Sequence, residues 1–108
     1  MIIEPVVQGD YLIANINVKE ANLTIADIFK AELIAQVNAG HKLIVVNFER
    51  VTYVDSSFLG ALVAALKVAI PQKCDIVVLN LNNDIRNLFE LIRMDKVFKI
   101  YDNLEEVG

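Results

Sequence analysis

The sequence is poor in the residues that carry most protein chemistry: its 108 residues include one cysteine, one histidine, no tryptophan, two prolines and four glycines. A single thiol, Cys74, closes no intrachain disulfide, which fits a reducing compartment, and it reads as a small apolar residue at the start of a strand. A single imidazole, His41, reads as a solvated turn residue. No Cys, His or carboxylate set falls at metal-ligand spacing, so no metal and no cofactor is expected. There is no phosphate-cradling glycine-rich loop and no GxSxG elbow. Lysine and arginine number 10 against 14 acidic residues, for a net charge of -4. Nucleic acids are bound through clustered cations that replace counterions, and no such cluster occurs, so no nucleic-acid partner is expected. Long apolar runs are missing too. LIVV (Leu43 to Val46) and the interrupted Phe58 to Leu66 stretch fall short of the about 20 residues that cross a bilayer, so no membrane insertion is expected. The opening MIIEPVVQGD carries Glu4 and no basic n-region, unlike a signal peptide. The expected location is cytoplasmic.

What the chain does have is apolar surface: 56% of residues are hydrophobic and 22% charged, enough to offset the ordering entropy of a folded domain. No repeat, low-complexity tract or linker divides it, so residues 1–108 are expected to form one domain. Strand composition marks Ile2 to Val7 and Tyr11 to Val18, with a hairpin turn at Gln8-Gly9-Asp10. Thr24 and Asp27 resemble a capping box ahead of a helix carrying Ile28, Phe29, Leu33 and Val37 at helical spacing, and Gly40 ends it. LIVVNF (Leu43 to Phe48) and DIVVLNL (Asp75 to Leu81) are unbroken runs of the kind that strands buried on both faces need. Asn83 or Asp84 then caps a helix with Ile85, Leu88, Phe89 and Ile92 inward. VFKIY (Val97 to Tyr101) closes as a strand, and Asn103 to Glu106 starts a short last helix. This order predicts an α/β fold, a small mixed β-sheet covered by α-helices, because strands joined through helices run parallel.

The stretch VDSSFLGALVAALK (Val54 to Lys67) stands where an extended run gives way to helical spacing, in a strand-to-helix loop of the kind where open α/β sheets place binding sites. Its Asp55, Ser56 and Ser57 are good helix caps, and capping alone accounts for them. A serine nucleophile needs a base, and His41 lies at the opposite end of the strand beginning at Leu43, about five or six residues at ~3.3 Å each from Ser56. No catalytic residue is expected. At 100° per residue, Leu59, Leu62, Val63, Leu66 and Ile70 share one side, with Phe58, Ala61, Ala65 and Ala69 filling the adjoining arc. Gly60, Ala64 and Lys67 remain opposite. That outward side is small and nearly uncharged, which fits either a helix buried all round or a face where a partner docks.

VTYVDSSFLGALVAALK (Val51 to Lys67), preceded by LIVVNF and followed by DIVVLNLNNDIRNLFELIRMDKVFKIYDNLEE, resembles the STAS domains of bacterial anti-sigma factor antagonists. The central signature is an apolar residue, Asp-Ser-Ser, a variable position, then Leu-Gly and an aliphatic helix. The resemblance implies that Ser56 is phosphorylated by an ATP-dependent serine kinase that is also the anti-sigma factor. It implies further that the unphosphorylated chain binds this kinase, and that a PP2C-type phosphatase removes the phosphate. Asn22, Asp55, Ser56, Ser57, Phe58, Gly60, Ala64 and Lys67 are then the expected partner-binding residues, and the chain is not an enzyme. STAS domains also serve in stress-signalling scaffolds and as small subunits of lipid transporters, the alternative role. Two positions depart from the family pattern. Phe58 stands where glycine is common, and Lys19-Glu20-Ala21-Asn22 replaces the usual Gly-x-Leu-Asp.

Overall fold

The computed structural model describes residues 1–107. A two-residue turn, with Gly9 at φ +59°, folds β1 (Ile3–Gln8) against β2 (Tyr11–Ile16) as an antiparallel hairpin in which Gln8 pairs with Tyr11. Glycine suits that left-handed position because it has no Cβ to clash there. The chain then passes through β3 (Glu20–Ala21), α1 (Leu23–Asn38), β4 (Leu43–Asn47), β5 (Tyr53–Val54), α2 (Ser56–Ala69), β6 (Asp75–Leu79), α3 (Asn83–Leu91) and β7 (Ile100–Tyr101). The main sheet has the order β1-β2-β4-β6-β7, with every pair after the hairpin parallel. It is the mixed sheet covered by helices that the element order predicts.

Alternation along the strands sorts the core. Ile44, Val46, Ile76 and Val78 join Phe29, Leu33, Leu62, Leu66, Ile85 and Phe89 of the helices in one cluster. Val45, Val77 and Leu79 point the other way, beneath Tyr11, Leu43, Tyr101, Leu104 and Val107. β4 and β6 are therefore buried on both faces, as their unbroken apolar runs require. At the free border of the sheet, the Glu32 carboxylate of α1 accepts the N–H groups of Ile2 (3.2 Å) and Ile3 (2.8 Å), and Pro5 has no N–H to offer. An edge strand so occupied presents few donors to another chain.

Several local expectations are corrected. Asn22, not Thr24, caps α1: its backbone is extended and its Oδ1 accepts from the Thr24 N–H at 3.0 Å. The helix therefore starts earlier, and its buried stripe is Ala26, Phe29, Leu33 and Val37, while Ile28 faces outward. Asn82, rather than Asn83 or Asp84, caps α3 by accepting from the Ile85 N–H at 2.8 Å. That helix stops at Leu91, Arg93 turns left-handed (φ +66°), and Ile92 is left exposed. Ile70 is exposed because Pro71 converts the end of α2 to a 3-10 turn. The last strand is only two residues long, and its expected beginning, Val97, is exposed.

Candidate functional site

Two strands of two residues each, β3 and β5, build the base of the site. They pair in parallel, Glu20 with Tyr53 and Ala21 with Val54, as a small sheet apart from the main one. The Lys19 carbonyl also accepts the Thr52 N–H (2.8 Å), and the Ala21 carbonyl accepts the Asp55 N–H (3.2 Å). The segment before α1 and the segment before α2 are thereby laced side by side.

Asp55 is the N-cap of α2. Its backbone is extended, its Oδ1 accepts the Phe58 N–H at 2.9 Å, and its carbonyl accepts the Leu59 N–H. Its other oxygen, Oδ2, accepts the Leu23 N–H at the start of α1 at 2.7 Å. One carboxylate thus satisfies an otherwise unpaired N–H at the beginning of each of two helices. With the cap supplied by Asp55, Ser56 and Ser57 are free of that task. Both are exposed, and none of the hydrogen bonds among the described residues uses either hydroxyl.

Phe58, Leu59, Ala61, Leu62, Ala65, Leu66 and Ala69 turn inward from α2. Ser57, Gly60, Ala64 and Lys67 follow one another at spacings of three and four residues, the neighbours of one helix face. Ser57, Gly60 and Ala64 share a shallow groove with Leu23, Ala26, Asp27 and Lys30 of α1, which packs alongside. A Cβ placed on Gly60 meets no atom within 4 Å. Gly60→Ala is therefore expected to raise stability by about 0.5–1 kcal/mol, since glycine costs backbone entropy in a helix. The urea midpoint of the free chain reads this, and a decrease would show that the face is covered.

Phe58 is corrected as a partner-contact residue. Its ring is fully buried, stacked on Phe29 with centroids 4.2 Å apart and edge-on to Phe48 at 6.4 Å, and Phe48 meets Phe89 at 6.0 Å. The ring lies inside and leaves the outward face of α2 open. Asn22 caps α1 beside the turn. Leu23, Asp27 and Lys30 line the groove, and none of the three is among the partner-binding residues expected from the sequence.

The rest of the chain offers little chemistry. His41 precedes β4 and Ser56 lies beyond its far end, with the strand between them. Cys74 is buried, and that burial, followed by the charge of Asp75, pushes its thiol pKa up, away from a reactive thiolate. Among the described residues no group of three potential ligands could hold a metal, and no helix is long and apolar enough to cross a membrane.

A family model described as the STAS domain matches residues 8–107. The chain belongs to the STAS domain family. Its structure resembles that of a Thermotoga maritima protein assigned as an anti-sigma factor antagonist, with a TM-score of 0.89, 26% identity, and coverage of 97% of this chain and 90% of that one. It shares its fold with the Bacillus cell fate determinant SpoIIAA in the phosphorylated form (TM-score 0.72, 18% identity, 97% and 95% covered). It shares it also with a sulfate transporter family protein from Wolinella succinogenes (TM-score 0.78, 16% identity, 93% and 83% covered). In this STAS domain the Asp-Ser-Ser signature is the turn just described, held by the lacing of β3 to β5 and by the Asp55 carboxylate.

Proposed function

We propose that this STAS domain is an anti-sigma factor antagonist, a binding switch whose partner is an anti-sigma serine kinase. In its unphosphorylated form it docks on that kinase through the Ser56 turn and the outward face of α2, so that the sigma factor is set free. The kinase transfers the γ-phosphoryl group of ATP to the Ser56 hydroxyl, leaving ADP and losing its hold. A PP2C-type phosphatase hydrolyses the phosphate and resets the switch. The observation that carries this reading is the exposed, unengaged hydroxyl of Ser56 at the first residue of α2, continuous with a face of Ser57, Gly60 and Ala64. The 26% likeness to the Thermotoga protein supports it.

The physical chemistry suits the task. A phosphoserine adds about -1.5 to -2 charges and three acceptor oxygens at one point. The first N–H groups of a helix can receive that anion, so the fold need not change. A surface packed on the turn, in contrast, must desolvate the charge or leave it unpaired. The chain itself is substrate and ligand, not catalyst, since Ser56 has no base beside it.

The test is to incubate the chain with anti-sigma kinases of the same genome and ATP and to map the product by mass spectrometry. One phosphate on Ser56, absent from the Ser56→Ala chain, is the expected result; phosphate elsewhere or none contradicts the reading. A second expectation concerns the face. Ala64→Arg places a long cation on the floor of the groove, and it should abolish kinase binding in a chain whose circular dichroism is unchanged. Normal binding by that folded variant would remove the α2 face from the interface.

A further inference from the structure

Both oxygens of the Asp55 carboxylate are engaged within the chain: Oδ1 accepts the Phe58 N–H at 2.9 Å and Oδ2 the Leu23 N–H at 2.7 Å. Its backbone N–H is bound as well, to the Ala21 carbonyl. What this arrangement does is place Leu23. That side chain is 69% exposed, at the first position of α1, on the rim of the groove that Ser57, Gly60 and Ala64 line from the other helix. An exposed leucine at a helix start contributes little to the core, and here it stands against the apolar side of that groove. Asn22, one residue earlier, caps α1 and directs the chain into the same turn.

We propose that Asp55 is a positioning residue that holds Leu23 beside the phosphoacceptor turn, so that the docking partner reads one composite surface made of Leu23 and the Ser57, Gly60 and Ala64 face. The inference rests on the partner reading above and deepens it. It commits to the same occupant, the anti-sigma kinase, because the groove is continuous with the turn that this kinase must reach. The residues of this surface, mostly apolar, with the Ser57 hydroxyl and a single acid and a single base in Asp27 and Lys30, call for a largely apolar ridge on the kinase. Asp55 then acts on recognition through another residue, and Leu23 makes the contact.

Asp55→Ser separates the two duties. Serine is as good an N-cap as aspartate, so the Phe58 N–H keeps its acceptor, but its single, shorter oxygen cannot also serve Leu23. In the free chain, amide hydrogen exchange at Leu23 should rise at least about tenfold while the amides of Phe58 and Leu59 stay protected. In calorimetry with the kinase, Asp55→Ser and Leu23→Ala should each weaken binding by about tenfold, and the double variant by little more than either alone. A multiplicative double variant, or wild-type affinity for Asp55→Ser, overturns the positioning role. Unchanged Leu23 exchange in Asp55→Ser overturns it without reference to any partner. Failure of the wild-type chain to bind any anti-sigma kinase overturns the partner reading and the contact role of Leu23 together, while the exchange measurement still decides whether Asp55 holds that segment.

Discussion

A chain carrying Ser56→Asp is expected to bind the anti-sigma kinase about a thousandfold more weakly than one carrying Ser56→Ala, a difference of about 4 kcal/mol. The hydroxyl itself is exposed and makes no bond among the described residues, so its loss alone costs the fold little. The added carboxylate is a different matter. It falls directly beside Asp55 and close to the groove that Asp27 and Lys30 of α1 line with Ser57, Gly60 and Ala64 of α2. A partner packed there strips water from the charge, which is where penalties of several kcal/mol arise. The fold should tolerate the change, because an acid in the first turn of a helix is favoured by the unpaired N–H groups there. Equal affinities for Ser56→Asp and Ser56→Ala, measured by calorimetry, would show that charge does not operate the switch.

Phe58→Ala is expected to be the most destabilising of the substitutions considered, at about 3–5 kcal/mol. The ring is fully buried between Phe29 of α1 and Phe48 beyond β4, and through Phe48 it reaches Phe89 of α3. Its removal leaves a cavity where three helices meet the sheet, and each aromatic pair adds about 0.5–1.5 kcal/mol beyond its buried area. Against a total of about 5–15 kcal/mol for a domain, that loss is a large fraction. Urea denaturation reads it as a lower midpoint with an unchanged slope. A cost below about 1 kcal/mol would mean that the neighbouring rings collapse into the space.

The sequence made the main sheet and its helices legible because their signals are long and redundant. LIVVN and DIVVL announce strands buried on both faces, and the apolar periodicity of α2 identifies its inward face over four turns. The helix starts were harder to place. Asn22 and Thr24, and likewise Asn82, Asn83 and Asp84, are all capable caps within a residue or two of one another, and only the backbone angles decide which one acts. β3 and β5 carried no pattern at all, since two residues cannot show alternation, yet their pairing runs the segment before α1 alongside the segment before α2. The Asp-Ser-Ser turn was visible as a strand-to-helix junction; the second duty of Asp55 was not, because its partner, the Leu23 N–H, lies 32 residues earlier in the chain. Phe58 could point either way on helical spacing alone, and the aromatic company of Phe29 and Phe48 settles it inward.

The occupied border at β1 has a consequence for how copies of the chain meet. With Glu32 holding the amides of Ile2 and Ile3 and a proline ring at position 5, the hairpin gives an incoming strand little to zip onto. Two molecules colliding on that side should part again without fusing their sheets along the hairpin, the ribbon-like growth that open β-edges invite.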